Sequence, residues 1–228
     1  MDKKIIASIL VFSALALVIG TLIPGGDARY EQTLPWQIET TTDGATRVFG
    51  LVLGKTTVQS AEQLLRSPAK INLFAAPEKP HVVEAYFDHI DLGGFSARMV
   101  LGIGVPAEQL QTMFARGARI STLGGGARKI TLNDADLMLV RGLPIVSITY
   151  LPRVRLQADL IHQRFGEPAQ RMLEPDSNMV HWLYPHLGLD MALDAQGNAV
   201  LQYVAPAEFS RLLRPLTLPF AQSSKPMP

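Results

Sequence analysis

The chain has 228 residues, a formal net charge of +1 from 21 Lys/Arg against 20 Asp/Glu, and no cysteine. The balanced charge gives no electrostatic basis for binding nucleic acid or a strongly anionic partner. The absence of cysteine excludes disulfides, thiolate metal sites and a lipidated N-terminal cysteine.

Residues 5–23 (IIASILVFSALALVIGTLI) are uncharged and apolar, with Lys3 and Lys4 before them and Pro24-Gly25-Gly26 after. At ~1.5 Å per residue this run makes a helix of ~28 Å, the thickness of a bilayer's hydrocarbon core. In lipid its backbone must bond to itself, so it must be helical. Ile5, Leu10, Phe12, Leu15, Leu17, Ile19 and Ile23 would face the acyl chains. A signal peptide cleaved near Gly26-Asp27-Ala28 is the rival reading, but signal h-regions are usually only ~7–15 residues long. The positive-inside rule keeps residues 1–4 in the cytoplasm and exports the bulk of the chain. The sequence therefore predicts a single-pass bacterial inner-membrane protein with a periplasmic domain.

Residues 24–45 are rich in turn formers and read as a tether. Tyr30 and Trp36 there suit either the lipid headgroup layer or, for Trp36, the edge of the domain core. A strand is expected at 46–53. The Gly54-Lys55-Thr56-Thr57 that follows invites a phosphate-loop reading, but only three residues separate Gly50 from Gly54. Thr56 and Gln59 instead read as a capping box, and Val58, Ala61, Leu64 and Leu65 as one helical face.

Strands are expected at 70–74, 82–89 and 95–103. Val83, Ala85 and Phe87 share one face of the second, and Phe95, Ala97, Met99, Leu101 and Ile103 one face of the third. Joining these faces requires an odd loop, three or five residues, around Asp91-Leu92-Gly93-Gly94. Pro106 opens a helix striped by Ala107, Leu110, Met113 and Phe114, which Gly117 ends in the left-handed conformation.

Residues 118–143 are harder to read. Gly124-Gly125-Gly126 with Arg128 and Lys129 fits an anion nest or a flexible hairpin tip. Residues 133–141 fit a capped helix, with Asp134 and Asp136 in its first turn, or a strand. A strand at 145–151 and a helix carrying Leu156, Leu160, Ile161 and Phe165 follow, and Gly166 caps that helix. Strands near 171–173, at 180–184 and in a hairpin over 187–204 complete the domain. Leu187, Leu189, Met191 and Leu193 face inward, and the turn is Asp194-Ala195-Gln196-Gly197-Asn198. The tail from 216 reads as disordered.

The order helix, Pro-Ala, strands occurs twice, at Pro68-Ala69 and at Pro168-Ala169. The sequence thus predicts an α+β protein. A transmembrane helix is followed by two small helix-plus-antiparallel-sheet units, at 46–117 and 144–206. Residues 118–143 connect them and 207–228 form a partly disordered tail.

Phe165-Gly166-Glu167-Pro168, His181-Trp182-Leu183-Tyr184, Gly188-Leu189-Asp190 and Asp194-Ala195-Gln196-Gly197 together resemble the SmpA/OmlA (BamE-like) envelope family. Gly54-Lys55-Thr56-Thr57 is similar to that family's Gly-x-Thr helix start, whereas Leu151-Pro152-Arg153 departs from it in the second half. The resemblance implies small α+β domains that bind other envelope proteins and perform no chemistry. A tandem of such units is also similar to the β-lactamase-inhibitor protein family, which implies an inhibitor role by analogy.

His81 and His89 are ~26 Å apart on a regular strand, too far for one metal. His181 and His186 lack a third ligand. No Gly-x-Ser-x-Gly elbow occurs, and no cofactor or nucleotide motif. Trp182 and Tyr184, alternating on one strand face, and Trp36 are the candidate partner-binding residues; as core aromatics they would serve packing alone. The expected function is a membrane-tethered periplasmic accessory or assembly factor that binds another envelope protein. A tethered hydrolase, or other ligand-binding enzyme, and an enzyme inhibitor are the alternatives.

Overall fold

The computed structural model describes residues 34–174 and 177–217. The membrane segment expected at 5–23, Tyr30 of the tether and the tail beyond 217 lie outside them. Among the described residues no helix is long and apolar enough to cross a membrane.

Two sheets form. The smaller contains β1 (Glu39–Thr40), β2 (Thr46–Val48) and β3 (Leu51–Val52). The larger begins in sequence with β4 (Lys70–Ala75), β5 (Val82–Leu92), β6 (Phe95–Ile103), β7 (Arg119–Thr122) and β8 (Arg128–Thr131). It continues with β9 (Ile145–Pro152), β10 (Gln170–Glu174), β11 (Met179–Tyr184), β12 (Leu189–Leu193) and β13 (Ala199–Val204). All ten strands join in one antiparallel sheet, ordered β10-β11-β12-β13-β9-β6-β5-β4-β8-β7. This overturns the expectation of two separate helix-plus-sheet units. The two expected units meet where β6 pairs with β9, from Ala97↔Pro152 to Ile103↔Ile145. Left apart, each would expose a long unpaired strand edge with an apolar face, a template for aggregation.

Among the described residues five helices accompany the sheets: α1 (Val58–Leu65), α2 (Ala107–Ala115), α3 (Asp134–Arg141), α4 (Ala158–Phe165) and α5 (Ser210–Thr217). At eight or nine residues none would persist alone in water, so packing holds them. Val58, Ala61, Met113, Val140 and Ile161 from α1–α4 join one core with Leu73, Phe87, Met99, Tyr150, Met191 and Leu201 of the sheet's inner face. On the outer face, α5 brings Leu212, Leu213 and Leu216 against Leu183, Val204 and Phe209. The expected tail is thus helical over 210–217, and the rest of it lies outside the described residues.

The β5–β6 hairpin resolves a parity problem by a different route from the expected loop. Leu92 pairs with Phe95, so the loop is the two residues Gly93-Gly94, both at positive φ. Phe87 still pairs with Met99 and Ile90 with Ala97, because a bulge at Asp88-His89 inserts one residue. The bulge supplies the odd count, keeps both apolar faces inward and leaves Asp88 and His89 exposed.

The expected strand at 46–53 is a small hairpin turning at Phe49-Gly50, both at positive φ. A left-handed Phe costs about 1–3 kcal/mol. Burying its whole side chain returns about 1.5–3 kcal/mol, so the strain is offset. Phe49 packs at a tilt on Tyr150 and edge-to-face on Tyr203, with ring centroids 4.7 and 5.6 Å away. Two helix ends also differ from expectation. Thr57, not Thr56, caps α1 by accepting from the Ser60 N–H, and Arg116 rather than Gly117 ends α2.

Candidate functional site

A broad concavity lies on the inner face of the C-terminal half. Its roof is the segment leading into α4; its floor is β10, β11 and the end of β12. The Leu156 side chain is buried, and its N–H donates to the Gly197 carbonyl at 2.8 Å, pinning the segment to the β12–β13 turn. Gly197 sits at φ 81°, and a Cβ there would meet the Leu156 carbonyl at 3.0 Å, so the turn requires glycine. The Asp194 carboxylate fixes the same turn. It accepts from the Asn198 side chain at 2.6 Å and from the Asn198 and Gln196 N–H groups at 2.8 and 2.9 Å. The Asn198 side chain, followed by these N–H groups, holds the Asp194 carboxyl below its usual value.

The resulting cleft has a volume of about 600 Å³, within the ~300–1,000 Å³ of ligand sites. Arg155, Gln157, Arg171, Trp182, Leu193 and Gln196 are among its walls. The Arg171 guanidinium lies over the Trp182 ring, 4.0 Å from its centroid. His162 packs on the same indole at 4.8 Å. Arg171 also donates to His162 Nε2 at 3.1 Å; guanidinium nitrogens only donate, so this imidazole nitrogen accepts. Glu167 stands 3.7 Å from Arg171 and 2.9 Å from His162 Nδ1. Trp182 is thereby a buried platform under a cation, not an exposed anchor.

The cleft reaches the margin of the sheet. Among the described residues β10 pairs with β11 alone and ends the strand order. Leu173, opposite Val180 on the inner face, is 62% exposed. Among the described residues the one acid in the cleft wall is Asp194, already committed to its turn, and no serine, lysine or histidine lines it. Such a site can bind an extended chain, an apolar group or an anion. Among the described residues it has no base poised beside a nucleophile.

The other sequence candidates fall elsewhere. Tyr184 is fully buried, and its hydroxyl donates to the Gly166 carbonyl at 3.1 Å. Burial pushes its phenol up to about 12. Trp36 packs edge-on against Phe95 and Phe165, with Arg164 over its ring at 5.0 Å. It therefore caps the domain core, and residues 34–45 of the expected tether lie against the domain. Lys55 is paired with Asp43, Gly124–Gly126 form the tip of the β7–β8 hairpin, and Asp134 and Asp136 belong to the first turn of α3. No three His, Cys, Asp or Glu residues converge as a metal site among the described residues.

Sequence reasoning missed one pair. His181 and Asp190 lie on the outer face, 6% and 2% exposed, with His181 Nδ1 2.9 Å from Asp190 Oδ2 and 3.0 Å from Oδ1. A carboxylate can only accept, so Nδ1 carries the hydrogen. Nε2 is buried without a hydrogen bond, and Glu174 lies 3.9 Å from it. Ser177 donates to Glu174. An oriented imidazole of this kind serves catalysis when substrate can reach it, but this one is covered. The only signal was the antiparallel spacing that brings Asp190 diagonal to His181 across β11 and β12.

Against protein-family models, curated proteins and solved structures, the chain finds no match.

Proposed function

We propose that the chain is a membrane-tethered envelope protein whose domain binds an extended segment of another protein along β10 and the adjoining cleft. The observation that carries this is the conjunction of a cleft of about 600 Å³ with a strand edge free of described partners and an exposed Leu173. A strand added at such an edge gains main-chain hydrogen bonds, and side chains alternating from it read the cleft. The uncharged run at 5–23 with Lys3 and Lys4 before it supports a single-pass inner-membrane anchor, N-terminus inside and domain in the periplasm. The resemblance of 165–197 to envelope-assembly domains agrees with an accessory role. The alternative of a tethered hydrolase draws on His181 and Asp190 alone, and that pair lies on the other face from the cleft.

The test is site-specific photo-cross-linking in intact cells, with a photoreactive residue at Leu173 and, as a control, at Ile120 on the opposite edge. A discrete adduct from Leu173, absent from Ile120 and reduced by Arg171→Glu, is the expected result. No adduct, or the same adducts from both edges, overturns the proposal.

A further inference from the structure

Arg155 and Leu156 belong to the walls of two concavities: the cleft above and a smaller pocket of about 140 Å³. Trp36, Phe95, Tyr150, Val154 and Leu160 enclose most of the smaller one. Each wall has a reason to be where it is. Trp36 is held by Phe95 and Phe165, Tyr150 by Phe49, and the Pro35 carbonyl beside Trp36 accepts from the buried Tyr203 hydroxyl at 2.9 Å. The pocket is therefore preformed by the core. Burial pushes the Tyr150 phenol up to about 12, so this wall is neutral at physiological pH.

Size and charge define the occupant. A drug-sized or cofactor site needs ~300 Å³ or more, whereas a dry cavity of ~150 Å³ accommodates benzene. One aromatic ring or branched aliphatic side chain fits here. Arg155 is exposed at this wall, and among the described residues it has no ion pair or hydrogen bond from its side chain. Its guanidinium matches a carboxylate.

We infer that this pocket takes one apolar side chain of a partner polypeptide, and that Arg155 binds a carboxylate adjacent to that side chain. This rests on the partner-binding reading and adds to it the partner's chemistry: an aromatic or branched residue next to an acidic residue or a C-terminal carboxylate. A ring in the pocket, desolvated and flanked by Trp36 and Phe95, is the anchor; the arginine sets polarity and register.

The full-length chain holds two tryptophans, at 36 and 182, one on each concavity. Fluorotryptophan labelling in detergent micelles gives each a separate ¹⁹F resonance. N-acetyl-phenylalanine is the probe; its amide and N-acetyl-aspartate are the controls. The acid shifts the Trp36 resonance saturably and binds about tenfold tighter than the amide, a difference of about 1.4 kcal/mol. Arg155→Gln removes that preference. Val154→Phe, a change at an exposed wall position, fills the pocket without adding a fluorinated indole and abolishes the shift. N-acetyl-aspartate, lacking the ring, leaves Trp36 unmoved. No saturable shift at Trp36, equal binding of acid and amide, or a shift surviving Val154→Phe overturns the inference. An adduct at Leu173 without a Trp36 response sinks the pocket alone; a Trp36 response without the adduct sinks the edge-binding reading and leaves the pocket.

Discussion

His181 Nδ1 lies 2.9 Å from Asp190 Oδ2, and water reaches little of either side chain. The hydrogen bond to Asp190 is the main cause holding the imidazole above its usual value of 6.5; burial acts the other way, and the charges of Asp190 and Glu174 add to the rise. The charged form therefore stabilises the fold. That contribution is complete below pH 6.5 and is lost as pH rises through the higher folded value. The urea midpoint of the full chain should fall over a window just above 6.5, and His181→Gln should flatten that step. A midpoint that rises across the window, or an unchanged step in the variant, contradicts the pairing.

Arg116 and Asp136 make an asymmetric pair. Asp136 is wholly buried and accepts from Arg116 Nε at 2.9 Å, from the Arg116 guanidinium terminus and from Asn133 Nδ2 at 2.9 Å; the arginine is about half exposed. Removing the arginine leaves a buried carboxylate with one side-chain donor. Removing the charge from the acid merely returns an arginine to water. Arg116→Ala should lower the thermal midpoint more than Asp136→Asn, and the pair together should not add. Equal losses would mean that the carboxylate is not desolvated in solution.

Much of the fold was legible because local chemistry and packing agree. The helices that start at Val58, Ala107 and Ala158 and the strands from 70 to 103 follow period and turn residues. The departures share one cause: a distant contact decides them. Ile103 and Ile145 are apart in sequence, and nothing local says that β6 and β9 pair, so the ten-stranded sheet reads as two. Phe49 adopts a left-handed conformation because Tyr150 and Tyr203 pack on it. Trp182 and Tyr184 were visible as a pair on one face, but their burial depends on Arg171, His162 and Gly166, which other elements deliver. The cleft itself, built from a turn, a helix approach and a sheet margin, has no local signature at all.

Tyr203 and Pro35 join the two ends of the domain. The Tyr203 phenol is fully buried, its pKa pushed far up by burial, and its hydroxyl donates to the Pro35 carbonyl. Tyr203→Phe keeps the ring against Phe49 and strands a buried carbonyl, a cost of about 1–3 kcal/mol. Hydrogen exchange should accelerate at residues 36–40 while β11 and β12 stay protected. Uniform acceleration would show that the bond serves the whole core and not the attachment of this segment.

Arg171 and Trp182 separate binding from folding. The indole is buried against His162 and the sheet, so Trp182→Ala opens a cavity and should cost about 3–5 kcal/mol. The guanidinium above it is about half exposed, and an exposed contact of this kind contributes less than about 1 kcal/mol. Arg171→Ala should therefore leave the urea midpoint nearly unchanged, alter the Trp182 emission and weaken the adduct formed from Leu173. A stable Arg171→Ala protein with an undiminished adduct removes the cleft from the binding surface. A large loss of stability instead makes the cation part of the core, and the cleft a by-product of packing.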